Sequence, residues 1–203
     1  MADPDLSPLQ DLSRQVPTPE EFERLTESLK DMDGRAVALI ASSVLDTVLE
    51  SAIKFHFIEL GKRRFNAIFR NPTAPLSTFS AKITIGHALG IYGDELRSQM
   101  DRIRAIRNAF AHAMLSISFD DPVVAAVCLK LSPQRLLPRG HEYQGEENTP
   151  RERFVVTTSL ANILLMRHIS RKAEDLRYSY DPWRGRWRYT HEPHNFLDPQ
   201  NLG

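Results

Sequence analysis

Four side chains suited to handling a phosphate fall close together in the chain: Arg104, Arg107, Asn108 and His112. At 100° per residue they share an arc of about 140° on one helix. Leu96, Met100, Ile103, Phe110 and Met114 occupy the adjoining arc. One face of such a helix packs into a core while its neighbour presents two guanidiniums, an amide and an imidazole. Arginine supplies paired donors to phosphate oxygens, asparagine adds a hydrogen bond, and histidine changes charge near neutral pH. Lys82 and Ser80, with Ser77, extend the set as candidate walls of an anion pocket, although Ser77 also suits a plain helix cap. A structural alternative stands beside this chemistry, in which Arg104 or Arg107 pairs with Asp46 or with an acid of the first helix and the stripe is a buried network.

The elements that must hold these residues are helices. Thr18-Pro19-Glu20-Glu21 combines a capping hydroxyl, a first-turn proline and a carboxylate that reaches back, followed by Phe22, Leu25 and Leu29 at helical spacing. Gly34 marks a break. From Arg35 to about Leu60, apolar residues from Val37 to Phe57 recur at threes and fours between Asp46, Glu50 and Lys54, giving the strongest helix of the chain. Lys62 to Phe69 adds one or two turns, and Pro72 and Pro75 force a loop. Ser77 or Thr78 caps a helix reaching Gly90; the next runs from Asp94 to about Leu115 after a turn at Gly93. Asp121-Pro122 opens a short helix to about Leu131. Thr149-Pro150-Arg151-Glu152 repeats the full capping signature and starts a long helix through Leu176. Ser116 to Phe119 is the only short strand candidate, so the fold class is all-α. The chain divides into an arm at 1–17, a helical domain at 18–178 and an aromatic-basic tail at 179–203.

Composition narrows the function. The 203 residues balance 26 Lys and Arg against 26 Asp and Glu. That neutrality argues against a broad duplex-binding surface, which draws its affinity from neutralised phosphates. The charge is uneven: residues 1–34 carry nine acids against three bases, and residues 151–190 nine bases against four acids. Either these regions pack together or the basic one meets an anionic partner. The lone Cys128 excludes a disulfide framework and a four-cysteine zinc site and points to a reducing cytoplasm. It lies on the apolar side of its helix and reads as core. The longest uncharged run, Phe154 to Met166, is short of a membrane span, and the start carries no basic leader region. His141 with Glu142, and His191 with His194, lack the spacing of a metal site, so no metal and no cofactor is expected. In the tail, Trp183, Arg184, Arg186 and Trp187 alternate rings and cations, a pattern that stacks on single-stranded nucleic acid or lies across the helical body.

Arg107-Asn108-Ala109-Phe110-Ala111-His112 resembles the R-N-x-x-x-H signature of HEPN helical domains. A longer series is similar to the mannitol operon repressor family: Ala74 to Ile83, then Ala88-Leu89-Gly90, then Ile103 to His112, then Ser118-Phe119-Asp120. Leu45-Asp46 and Asp33-Gly34-Arg35 add to it, the latter where that family tends to an Asp-Arg-Gly order. The resemblance covers roughly residues 22 to 176. It implies a HEPN-like multi-helix bundle, usually self-associating and so a homodimer, linked to transcriptional control through a regulatory protein partner or RNA. Direct sequence-specific DNA binding is not expected, because the helix after the Gly90–Gly93 turn carries Asp94, Glu95 and Asp101 in its first turns. The wider superfamily includes metal-independent ribonucleases. By that resemblance His112 would move the proton of the attacking hydroxyl or leaving oxygen, Arg107 would stabilise the phosphorane, Asn108 would orient one of them, and a dimer cleft would supply depth.

Overall fold

The computed structural model describes residues 15–58, 60–137, 149–175, 178–181 and 186–189. Its body is all-α, in agreement with the sequence reading. The helices are α1 (Pro19–Ser28), α2 (Gly34–Lys54), α3 (Lys62–Phe69), α4 (Phe79–Ala88), α5 (Asp94–His112), α6 (Pro122–Cys128) and α7 (Pro150–Asp175), with a 3-10 turn at Pro133–Leu136 between the last two.

The helix starts follow the local chemistry of the sequence. Thr18 Oγ1 accepts from Glu21 N at 3.2 Å while Thr18 N donates to Glu21 Oε2 at 2.8 Å, the reciprocal box expected there. Thr149 and Glu152 repeat it at 2.9 and 3.2 Å. Thr78 rather than Ser77 caps α4, accepting from Ala81 N at 3.2 Å, and Ser77 Oγ donates to the Ala74 carbonyl. Asp33 caps α2, so Gly34 is its first residue instead of a break before it. At the end of α4, Gly90 takes φ +69°. Ile91 N then reaches Gly86 O and Gly90 N reaches His87 O, the left-handed glycine stop that satisfies terminal carbonyls.

Two helix ends differ from the sequence reading. The α2 helix stops at Lys54, not near Leu60, and the chain tightens as His56 N and Phe57 N bond back three residues. Phe57 keeps the apolar period but serves α3, meeting Phe69 edge-on at 5.7 Å between ring centres. The α5 helix ends at His112, so Met114 leaves the apolar stripe and is 98% exposed. Residues Ser116 to Phe119 form no strand.

The core is organised by α2, which packs most extensively on α7 and then on α5 and α4. Its buried Val37, Leu45, Val48, Leu49 and Ile53 meet Met100, Ile103 and Phe110 of α5 and Phe154, Ala161 and Leu165 of α7 in one cluster. By length and composition α2 could cross a membrane, but these side chains lie inside the protein. Phe119 sits between Phe110 and Phe154, with tilted rings whose centres are 4.8 and 5.3 Å apart. Cys128 is buried as expected. Arg151, in the first turn of α7, donates to the Leu29, Lys30 and Met32 carbonyls. This link ties the acidic first segment to the basic last helix, as one of the two charge accounts required.

Beyond α7, β1 (Tyr178–Asp181) and β2 (Arg186–Tyr189) pair antiparallel with Tyr178 opposite Tyr189. The sequence pattern offers Ser116 to Phe119 as its only strand candidate, so this pair corrects it. Arg186 and Trp187 are on β2, opposite Asp181 and Tyr180. Trp183, Arg184, His141, Glu142, His191 and His194 lie outside the described residues.

Candidate functional site

The candidate ridge is positioned by what lies behind it. Leu96, Met100, Ile103, Ile106 and Phe110 are buried at helical spacing and press α5 onto α2, which turns the adjoining stripe toward the surface. The C-terminal end of the ridge is held from α2. Arg35 donates to Ala113 O at 2.9 Å and Leu115 O at 3.4 Å, and Gly34 sits where a side chain would meet the Phe119 ring at 3.4 Å. The Asp33-Gly34-Arg35 triplet thus caps one helix and anchors the end of another, just beyond His112.

Arg107 and Asn108 are half-buried, and Arg107 Nη1 donates to Asn108 Oδ1 at 3.0 Å. Arg104 is partly exposed, at 32% for the side chain, and faces Asp101 one turn back at 3.5 Å. Its Nε is buried without a hydrogen-bond partner. His112 is exposed, and Ala105, Ala109 and Ala111 around it are exposed too, so no bulky α5 side chain fences the ridge. Neither guanidinium pairs with Asp46 or with an acid of the first helix, the partners the structural alternative named. The four residues follow one another along the open side of α5, over roughly 12 Å of its axis from Arg104 to His112. They line neither of two cavities, of about 790 and 450 Å³, formed elsewhere on the body.

Lys82 and Ser80 do not extend the ridge as an open anion pocket. Two residues apart on α4 they project roughly 200° apart, and Ser80 is exposed while Lys82 is buried. Lys82 Nζ lies 2.7 Å from Asp46 Oδ1, an ionic contact without hydrogen-bond alignment, and 3.0 Å from Glu50 Oε2. Its charge is already matched.

That network was not singled out in the sequence. Glu50 is buried and receives both arms of the Arg70 guanidinium, with Nη1 to Oε2 at 2.7 Å and Nη2 on Oε1, while Lys54 stands 3.5 Å away. Burial pushes the Glu50 carboxyl up, but the Arg70 hydrogen bonds and the Lys82 charge outweigh it and bring its pKa down to about 2. Phe65 lies under both Lys54 and Arg70, 4.5 and 4.8 Å from ring centre to cation. The available signal was Asp46, Glu50 and Lys54 at four-residue spacing on an otherwise apolar helix, together with a lysine inside apolar α4. The network joins α2, α4 and the end of α3, and its charges are matched within it.

Among the described residues no three His, Cys, Asp or Glu side chains converge as a metal centre would need. Compared with models of protein families, with curated proteins and with solved structures, the chain gives no match.

Proposed function

We propose that this chain is a cytoplasmic regulatory protein of the kind that resemblance to the mannitol operon repressor family implies, acting as a homodimer through RNA or a protein partner. The observation that carries this reading is the state of the ridge. His112 is exposed and Arg104 and Arg107 are partly so, and Asp101 at 3.5 Å from Arg104 is the one acid paired with them among the described residues. Cations left so lightly matched suit a phosphodiester or an acidic protein surface. Self-association is supported by Met114 and Leu115, which follow His112 after Ala113 and are 98% and 81% exposed. An apolar pair at the end of the ridge favours burial against a second copy. The acids Asp94, Glu95 and Asp101 along the start of α5 disfavour docking of this helix in a major groove.

One observation favours a second reading, a metal-independent HEPN-type ribonuclease. Asn108 already orients the Arg107 guanidinium, and His112 follows one turn later in the open. In that reading His112 exchanges the proton of the 2′-hydroxyl or leaving oxygen and Arg107 stabilises phosphorane charge. The test is single-stranded RNA incubated without divalent metal with the native protein, Arg107→Gln and His112→Ala. Binding that weakens in both variants with the RNA intact supports the regulator. Cleavage that disappears in His112→Ala replaces it with the nuclease, and RNA binding unchanged in both variants removes RNA as the partner of the ridge.

A further inference from the structure

The other end of α5 faces a different concentration of positive charge. A cavity of about 450 Å³ opens between the first turn of α5, the 3-10 turn at Pro133–Leu136 and α7. Leu164, Arg167, His168 and Arg171 recur at three, four and seven residues, so α7 gives the cavity one continuous face. Arg135 enters from the 3-10 turn. Three guanidiniums therefore surround a space whose wall includes a single carboxylate, Glu95.

That carboxylate does not neutralise them. Glu95 Oε1 accepts from the buried Gln99 amide, and Oε2 is 3.5 Å from an Arg135 side chain that is 70% exposed. Among the residues whose side chains are described, which on α7 end at Arg171, no ion pair joins Arg167 or Arg171 to an acid; both arginines also line the neighbouring groove of about 790 Å³, which Glu23 and Glu27 border. His168 Nε2 lies 3.1 Å from His56 Nε2, which fixes its ring in the wall. At the mouth, Gly93 caps α5 with no side-chain bond, and a Cβ built on it would meet nothing within 4 Å. Asp94 and Glu95 occupy the first turn that follows, so the guanidiniums rather than this helix end attract an anion. Ile91, Leu96, Leu136 and Leu165, all buried, give the cavity an apolar floor.

We propose that this cavity binds a small phosphorylated metabolite. Arg167 and Arg171 hold the phosphate, with Arg135 completing the cradle, and the organic body rests on the leucines. Phosphate is favoured over carboxylate because a phosphate ester carries about two charges and three acceptor oxygens, which three guanidiniums match. The volume lies in the range of small-ligand pockets, about 300–1,000 Å³, and is too small for a nucleic-acid chain. The site is separate from the ridge: Arg104, the nearest ridge residue, is ten residues along α5 from Asp94, roughly 15 Å along its axis. It does not depend on the regulatory reading.

Inorganic pyrophosphate is the probe, titrated calorimetrically at low salt into the full chain and into Arg167→Gln/Arg171→Gln, with Arg104→Gln as the ridge control. The native protein and Arg104→Gln should bind with Kd below about 1 mM, and the double variant about tenfold or more weakly. Circular dichroism of the double variant should match native, since both arginines are exposed. Absence of saturable binding to the native chain overturns the proposal. Equal binding by the double variant, or an equal loss in Arg104→Gln, overturns it as well, and neither result bears on RNA binding by the ridge.

Discussion

Replacing Glu50 by glutamine should remove a large share of the stability of the fold and change its dependence on pH. The Glu50 carboxyl falls from its ordinary pKa of 4.5 to about 2 in the folded chain, a difference equivalent to about 3 kcal/mol. A second route gives a similar value: removing one partner of a buried ion pair costs about 3–5 kcal/mol. The lower end applies because Lys82 keeps Asp46 at 2.7 Å. Domains hold only about 5–15 kcal/mol in total, so the variant should unfold at clearly lower urea. The sign of the pH effect follows from the depressed pKa. Between 4.5 and 2 the unfolded chain binds a proton at Glu50 that the folded chain does not, so this contribution is complete above 4.5 and lost as pH falls through about 2. Protonated Glu50 is nearly the same shape as glutamine, so the stability gap between native and variant should shrink by roughly half by about pH 3. Urea unfolding followed by circular dichroism at pH 7, 4 and 3 measures it. A gap under about 1 kcal/mol at neutral pH, or one that stays constant down to pH 3, would refute the placement of a charged Glu50 inside this network.

Two further outcomes follow from buried neighbours. Gly86→Ala puts a Cβ 2.8 Å from Tyr92 Oη and 3.1 Å from Leu49 Cδ1, and Tyr92 Oη donates to Ile83 O at 2.7 Å. The displaced tyrosine should outweigh the helical gain of alanine and lower stability by about 2 kcal/mol in thermal unfolding; an unchanged or raised midpoint would count against that packing. Burial pushes the Cys128 thiol up to about 12, so thiol titration at pH 8 should label it only when denaturant is added; prompt labelling of the native chain would contradict its place in the core.

The sequence determined what is local. Helix starts depend on groups three residues apart, so Thr18 with Glu21 and Thr149 with Glu152 could be read directly and are present as reciprocal bonds. The same holds for the apolar stripe of α5 from Leu96 to Phe110 and for the ridge beside it, because helical geometry alone fixes which residues share a face. Tertiary structure decided which charges meet. Asp46 and Glu50 come from α2, Lys82 from α4 and Arg70 from the turn after α3, and only the packing of α4 onto α2 brings Lys82 to both acids, so that its charge is matched and it does not line an open anion pocket. Met114 continued the apolar period yet lies outside, because the backbone leaves the helix at Ala113, with ψ 120°, under the hold of Arg35. Arg135, Arg167 and Arg171 carry no motif and share a cavity only because the 3-10 turn lies against α7. Periodicity and capping bonds act within a turn of chain, while ion pairing and cavities depend on distances between segments that spacing along the sequence does not encode.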